Sequence, residues 1–188
     1  MLEAIKSVLK QAANARSNGQ SAEAERLYRE AAVEARAKDD VVRAEALMGV
    51  AQARRDQDDL IGASINYAEA VTILRGANAI PRLAYALRHA ADVRSKLNEY
   101  AAAGSQIDEA IRLYNTLLLT EEASLLDLAN ALRVAALNSE RQAHASWTQA
   151  CELYDKLHIT AGTAECNEHL DRLKHNGAAK TQQGDKAA

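Results

Sequence analysis

The stretch LAYALRHAADVRSKLNEYAAAGSQIDEAIRLY, residues 83–114, has the pattern of two amphipathic helices joined by a short turn. In its second half, Ala103, Ile107 and Ala110 are spaced so that all three lie on one face of a helix. That face carries a bulky side chain between two small ones. A neighbouring helix can approach closely over the alanines, while the isoleucine fills the space beside them. The stretch therefore predicts a packed pair of antiparallel helices.

The same small, large, small triad occurs four times along the chain. The triads are Ala24/Tyr28/Ala31, Ala63/Tyr67/Ala70, Ala103/Ile107/Ala110 and Ala143/Trp147/Ala150. Their first alanines are 39, 40 and 40 residues apart. Self-similarity at a fixed period of this kind indicates an array of stacked repeats. Because a single helix pair leaves half of its apolar surface in water, stacking several pairs makes the core continuous.

These triads resemble the second-helix signature of the tetratricopeptide repeat family, in which two small residues flank an aromatic one. The resemblance covers about residues 2–157 and is to the long-helix variants, because the period here is 39 to 40 residues rather than about 34. The proline that often closes a repeat is absent, and its places are taken by Arg36, Arg75, Asn115 and Asp155. The resemblance implies an all-α fold, a right-handed α-solenoid of antiparallel helix pairs with a C-terminal capping helix.

The predicted organisation is a single repeat domain of nine helices over residues 1–175, followed by a disordered tail. The repeats are predicted at 2–37, 40–76, 81–119 and 122–157, the capping helix at 160–175 and the tail at 176–188. Asp39 and Asp40 are expected to begin the third helix, Pro81 to lie at the start of the fifth, and Thr120 to begin the seventh.

The fourth repeat is shorter than the third. AYALRHAA at 84–91 aligns with ANALRVAA at 129–136, a spacing of 45, whereas the second helices of the two repeats are 40 apart. Five residues are therefore missing between its two helices. Asn138 and Ser139 are predicted to form the turn.

Composition excludes several classes of protein. A net charge of −3 over 188 residues removes the broad attraction on which non-specific nucleic-acid binding depends. Lys6 and Lys10 interrupt the apolar N-terminal stretch, so no signal peptide is predicted, and no apolar run is long enough to span a bilayer. With two cysteines, a disulfide scaffold is not expected. We therefore expect a cytoplasmic protein without nucleic-acid or membrane partners.

The family resemblance implies that the first helices of successive pairs line a concave groove that holds a peptide or a helix of a partner. The residues on that face are Lys6, Arg16, Glu45, Gln52, Arg55, Tyr85, Arg88, Asp92, Lys96, Asn130 and Arg133. The predicted peptide-binding residues among them are Arg55, Tyr85, Arg88, Asp92, Asn130 and Arg133. Arginine binds a carboxylate through two parallel hydrogen bonds, so the predicted partner is acidic or carries a terminal carboxylate.

Other interpretations of these residues stay open. Arg88 and Arg133 are equally compatible with solvating the inner face, or with pairing to Asp92 and Glu140. Tyr85 is compatible with an exposed anchor or with packing under the next helix. The members of the family that bind chaperone tails use a lysine and asparagine clamp. Leu9 and Ala13 stand in those places, which disfavours that class of partner.

No set of residues predicts catalysis, a metal site or a cofactor. Cys166 and His169 lie three residues apart on one helix, with Cys151, His144 and His158 on the preceding one, but structural zinc sites usually have tighter paired spacing. Cys151 follows Ala150 and aligns with Ala32, Val71 and Ile111, so a buried reduced thiol is favoured there. His89 and Asp92 have no nucleophile or phosphate-binding loop beside them. Trp147 takes the place of Tyr28 and is expected in the core.

The sequence therefore predicts a non-catalytic protein interaction module, either a monomer or a weak homodimer. The alternative is a structural unit that self-associates without a groove ligand. An enzyme is a third possibility, and no complete catalytic set supports it.

Overall fold

The computed structural model describes residues 2–156 and 158–184, and these form eight helices. They are α1 (Leu2–Ser17), α2 (Ser21–Ala35), α3 (Asp40–Arg55), α4 (Leu60–Gly76), α5 (Ile80–Lys96), α6 (Tyr100–Leu119), α7 (Leu125–Lys156) and α8 (Thr160–Gly184). None of the residues in these two ranges lies in a strand. The all-α prediction is therefore confirmed. Within the same ranges, no helix combines the length and the apolar character needed to cross a lipid bilayer.

The chain divides into two compact units. Unit 1 is Met1–Ala135 and unit 2 is Ala136–Ala188, so the boundary falls inside α7. In unit 1, each of the helices α1 to α5 packs against the next helix along the chain, and α1 also touches α3. This neighbour-to-neighbour packing is typical of helical repeat arrays and confirms the solenoid-like prediction. The single-domain organisation over residues 1–175 stays a prediction.

The first three triads form the centre of the unit 1 core. Tyr67 is completely buried and Ile107 almost completely, and all six alanines of the three triads are buried beside them. Tyr28 is also buried. In unit 2, Ala143 and Trp147 are only half-buried, and the side chain of Ala150 lies outside the described residues. The core prediction is thus confirmed for three copies and only in part for Trp147.

Short polar side chains determine where three of the helices begin: α3 after Asp39, α4 after Asp59 and α7 after Ser124. As predicted, Asp39 caps α3, because its Oδ1 accepts a hydrogen bond of 2.9 Å from the backbone nitrogen of Val42. The prediction for Thr120 is wrong, since this residue ends α6. Ser124 precedes α7 instead: its Oγ accepts from the Asp127 nitrogen, and Asp127 accepts from the Ser124 nitrogen at 3.1 Å. This reciprocal pair fixes the start of α7 four residues later than expected.

The predicted turn at Asn138 and Ser139 is wrong. Both residues are helical, and α7 runs unbroken for 32 residues, so the described chain has eight helices rather than nine. The physical reason is that this region contains neither glycine nor proline, and its flanks are rich in alanine and leucine, which favour helix.

The predicted end of the last helix also differs. α8 continues to Gly184, although a disordered tail was predicted from residue 176. Alanine, lysine and glutamine propagate a helix even without large apolar side chains. Residues 185–188 of the predicted tail lie outside the described residues.

Most of the connections contain one residue with a left-handed backbone. These residues are Gly19, Asp58, Asn78, Asn98, Glu121 and His158, with φ between 53° and 77°. Glycine, asparagine and aspartate reach this region at little cost, so they mark the places where one helix ends and the next can turn back.

Candidate functional site

A groove of about 610 Å³ lies in unit 1, between the first helices of three successive pairs, α1, α3 and α5. Its lining includes Lys6, Leu9, Lys10 and Ala13 of α1, Val42, Glu45, Met48, Gly49 and Gln52 of α3, and Arg82 and Tyr85 of α5. Tyr28 of α2 completes it. The groove thus lies along the first helices, where the family resemblance implied a binding surface, and its role in binding stays a prediction.

The floor of the groove is apolar and closely packed. Leu9, Val42 and Met48 are almost fully buried there. The Tyr28 ring lies directly against the backbone of Gly49, because a Cβ placed on this glycine would lie 2.3 Å from Tyr28 Cδ1. Glycine at this position therefore permits α2 and α3 to approach each other closely enough for the ring to reach the groove.

The rim of the groove is mainly basic. Three of its four charged lining residues are Lys6, Lys10 and Arg82, and the fourth is Glu45. Glu45 lies 3.6 Å from the Arg82 guanidinium, an exposed ion pair that water screens. Lys10 is exposed. Lys6 is also paired, with Glu3 at 2.9 Å, so Lys10 is the rim cation that forms no ion pair within the described residues. An acidic segment in the groove would therefore meet a positive charge centred on Lys10.

A chain of hydrogen bonds crosses the groove from α1 to α5. The Arg16 guanidinium donates to Asp56 through Nε at 2.6 Å and Nη2 at 3.3 Å, and to Gln52 Oε1 at 3.1 Å. Gln52 in turn donates through Nε2 to the Tyr85 hydroxyl at 2.9 Å. Three helices thus hold the Tyr85 ring in one orientation at the groove wall.

His89 lies behind Tyr85 in an aromatic cluster. Its ring is 4.4 Å from the Tyr85 ring and stacks parallel to Tyr67 at 5.9 Å, measured between centroids. Arg55 Nη1 lies 3.5 Å from His89 Nδ1. Since a guanidinium can only donate, Nδ1 is the acceptor and Nε2 carries the proton. Among the described residues, the buried Nε2 has no hydrogen-bond partner.

The protonation of His89 is opposed by its surroundings. Burial, together with the positive charges of Arg88 and Arg55, lowers the pKa of His89 to about 3. The imidazole is therefore neutral at physiological pH. Burial likewise raises the pKa of the Tyr67 hydroxyl well above its usual value. Neither group is suited to exchange protons with a bound molecule near neutral pH.

Of the six residues predicted to bind a peptide, the structure brings three together. Tyr85 lines the groove, the Arg88 guanidinium lies 5.2 Å from the centre of its ring, and Arg55 contacts the adjacent His89. Asp92 does not serve as their counter-ion, because it forms an ion pair of 3.0 Å with Lys96.

The other two predicted residues, Asn130 and Arg133, lie on α7 and are not part of the groove lining. Asn130 is half-buried and Arg133 is exposed. Sequence reasoning also missed two residues that do line the groove, Lys10 and Arg82. Helical spacing contains the missing signal, since Lys10 follows Lys6 by one turn and Arg82 precedes Tyr85 by one turn.

Both cysteines lie in unit 2, and the buried thiol predicted at Cys151 is wrong, because Cys151 is only half-buried. Cys166 is completely buried, and burial raises the pKa of its thiol, which makes it a poor nucleophile. Cys151 Sγ lies 3.5 Å from Asn167 Oδ1, and the Trp147 ring stacks on His169 at 4.0 Å. Over the described ranges, no three His, Cys, Asp or Glu side chains converge as metal ligands would.

Comparisons with known proteins extend to the fold alone. No protein-family model and no curated protein sequence matches this chain. Its structure is similar to the crystal structure of BtubC (BKLC) from P. vanneervenii, with a TM-score of 0.58 and 15% sequence identity. The match covers 93% of this chain and 81% of that chain. The resemblance to the tetratricopeptide repeat family stays a prediction.

Proposed function

We propose that this chain is a non-catalytic, cytoplasmic protein interaction module that binds an acidic peptide or protein segment in the groove of unit 1. The observation that carries the proposal is the groove itself, in which an apolar floor is bordered by Lys6, Lys10 and Arg82. An apolar floor favours burial of side chains from the segment, and the basic rim favours acidic residues beside them.

The size of the groove supports a short segment as its ligand. A volume of about 610 Å³ lies within the range of about 300–1,000 Å³ that is usual for sites enclosing a small ligand. It accommodates a few side chains rather than a whole folded surface. We therefore expect recognition of an extended or helical stretch of a partner.

Tyr85 is the proposed anchor of the bound segment. Its hydroxyl accepts a hydrogen bond from Gln52, and its ring lies 4.4 Å from the His89 ring and 5.2 Å from the Arg88 guanidinium. A side chain that is already held in place loses little conformational entropy when it binds a partner. Rigid aromatic side chains of this kind often contribute most of the binding energy at an interface.

The surroundings of His89 support a binding role rather than a catalytic one. With a pKa of about 3, His89 is a weak base, and its neighbour Asp92 is engaged by Lys96. A general base that operates near neutral pH requires a pKa close to that pH. In the proposed function, the role of Tyr67 and His89 is therefore to position the Tyr85 ring.

The proposal can be tested with a random peptide phage library selected on the immobilised full chain. We expect the selected peptides to be enriched in Asp and Glu beside one apolar residue. The binding of a labelled selected peptide is then measured by fluorescence anisotropy. Reversing the charge in the groove with Lys10→Glu is expected to weaken binding about tenfold, because it replaces attraction by repulsion at the rim.

A matched control has the same change of charge elsewhere. Arg112 is exposed on α6 and does not line the groove, so Arg112→Glu is expected to leave the affinity unchanged. The proposal is wrong if the selected peptides show no acidic enrichment, or if Lys10→Glu and Arg112→Glu weaken binding equally. Self-association is the second candidate function, and a different surface, the exposed leucines of α7, favours it.

A further inference from the structure

The face of α7 that corresponds to a buried face of α5 is exposed. The alignment of residues 84–91 with 129–136 pairs Ile80 with Leu125, Ala84 with Ala129, and Leu87 with Leu132. Leu87 is 1% exposed, whereas Leu132 is 51% exposed and Leu125 76%. Ala84 is fully buried, whereas Ala129 is exposed. We call Leu125, Ala129 and Leu132 the α7 stripe, because they share one face at positions i, i+4 and i+7.

The two helices differ in how the chain continues beyond the aligned residues. After α5 the chain makes a turn, and α6 then folds back and packs on α5. The repeat counterpart of α6 is the segment 143–156, and in this chain it continues along the same helix, α7. Within the described residues, α7 therefore contains no turn between the α7 stripe and residues 143–156.

The segment that would cover the α7 stripe is likewise incompletely buried, although α8 covers part of it, since the Trp147 ring stacks on His169. Ala103 and Ile107 of α6 are at most 1% exposed, whereas their counterparts Ala143 and Trp147 are half-buried. Each chain thus contains the two parts of a helix pair: the α7 stripe in unit 1 and residues 143–156 in unit 2. The two parts retain the residue types of α5 and α6, the helices that pack on each other in the third repeat.

A deletion explains why α7 does not turn back. The alignment places Asn138 opposite Val93 and Ser139 opposite Glu99, so the missing residues correspond to 94–98. This segment contains Asn98, whose left-handed backbone (φ 64°) forms the α5–α6 turn. Loss of a turn between two elements that pack together favours exchange of the second element with another copy of the same chain.

We propose that two copies of this chain complete each other's fourth helix pair. Residues 143–156 of one copy pack antiparallel on the α7 stripe of the other, and the same contact recurs in reverse. The dimer has a twofold axis near residues 138–139 of the two α7 helices. A second copy fits better than an unrelated protein, because this sequence already encodes the matching helix, and reciprocal exchange covers both open faces in a closed assembly.

The mass of the full chain in solution, measured by light scattering after gel filtration at two concentrations, tests the dimer. Twice the chain mass of 20.3 kDa is expected. The decisive variant inserts residues 94–98, RSKLN, between Asn138 and Ser139. It restores the turn of the third repeat, so the helix pair is expected to close within one copy and give a monomer.

A second variant does not depend on refolding of the turn. Leu132→Glu places a charge on an exposed position of the α7 stripe and is expected to weaken dimerisation about 100-fold or more, since the change is present twice in a twofold dimer. Ile65→Glu is the matched control, because Ile65 is 61% exposed on α4, and it should remain dimeric.

Helix content measured by circular dichroism verifies that each variant is folded. A wild-type monomer at both concentrations would overturn the proposal. So would a folded insertion variant that is still a dimer, a Leu132→Glu variant with unchanged dimerisation, or loss of the dimer in Ile65→Glu. The peptide selection on the groove uses a different surface, so either proposal can fail without the other.

Discussion

Replacement of His89 by phenylalanine is expected to remove a specific loss of stability at acidic pH. His89 is held between the Tyr67 and Tyr85 rings, and its protonated form would lie beside cationic side chains. The charged groups that surround it are Arg16 of α1, Arg55 of α3, and Arg88 and Asp92 of α5. Phenylalanine keeps a ring in this cluster but cannot take up a proton.

The magnitude is set by the two pKa values of His89. In the unfolded chain the pKa is about 6.5, and in the folded protein it is about 3. As the pH falls below 6.5, the unfolded state binds the proton first, so the free energy of unfolding decreases. The decrease is about 1.4 kcal/mol per pH unit until the folded pKa is reached. Between pH 7 and pH 5, His89 alone should reduce stability by about 2 kcal/mol.

Urea unfolding followed by circular dichroism measures this loss. Wild type and His89→Phe are compared at pH 7 and pH 5, and the variant is expected to lose about 2 kcal/mol less on acidification. His144→Asn is the control, because His144 is exposed on α7 and its removal should leave the wild-type loss intact. An NMR titration of the His89 ring gives the folded pKa directly. A titration midpoint near 6.5, or equal losses in wild type and His89→Phe, would refute the reasoning.

Two further predictions concern local packing and capping. Gly49→Ala should destabilise the protein by about 1–3 kcal/mol, because the added Cβ would collide with the Tyr28 ring. Gly76→Ala has free space around its Cβ and should be neutral or slightly stabilising. Thermal unfolding measures both variants, and equal melting temperatures would contradict the close approach of Tyr28 to Gly49. Asp39→Ala should lower the free energy of unfolding by about 1 kcal/mol, because α3 loses its capping hydrogen bond. Glu99→Ala is the control, because the Glu99 side chain forms no capping hydrogen bond to α6. Urea unfolding measures both variants, and equal changes in their midpoints would show that the Asp39 hydrogen bond contributes nothing.

Much of the fold could be predicted from spacing alone. The burial of Tyr28, Tyr67 and Ile107 could be read from their recurrence between small residues, because helical periodicity directly reports which face is packed. The turn predicted at Asn138 and Ser139 was wrong, because repeat spacing alone does not determine it. A repeat alignment shows that residues are missing, but it does not reveal whether the remaining ones form a shorter turn or continue the helix. Local helix propensity decided that outcome.

The sequence indicated which helices line the candidate site, but it did not indicate which side chains on those helices contact one another. The family resemblance implied a groove along the first helices, and Tyr85, Gln52 and Lys6 do line the groove of unit 1, whereas their role in binding stays a prediction. Asp92 was predicted to bind a peptide, although its spacing of four residues from Lys96 on one helix already indicated the ion pair that the structure shows. The role of His89 was also not apparent, because its ring is enclosed by contributions from α3, α4 and α5 that are far apart in sequence.

In unit 1, packing between helices is almost entirely between elements adjacent in the chain. Folding of unit 1 therefore requires the closure of few long loops, because most contacts form between helices that are close in sequence. Topologies of this kind fold rapidly. Opening should be graded rather than all-or-none, with α1 fraying first because it packs on fewer partners than α3 does. The backbone amides of α3 should accordingly exchange with deuterium more slowly than those of α1. This order is expected for an array in which each helix is stabilised mainly by its nearest neighbours.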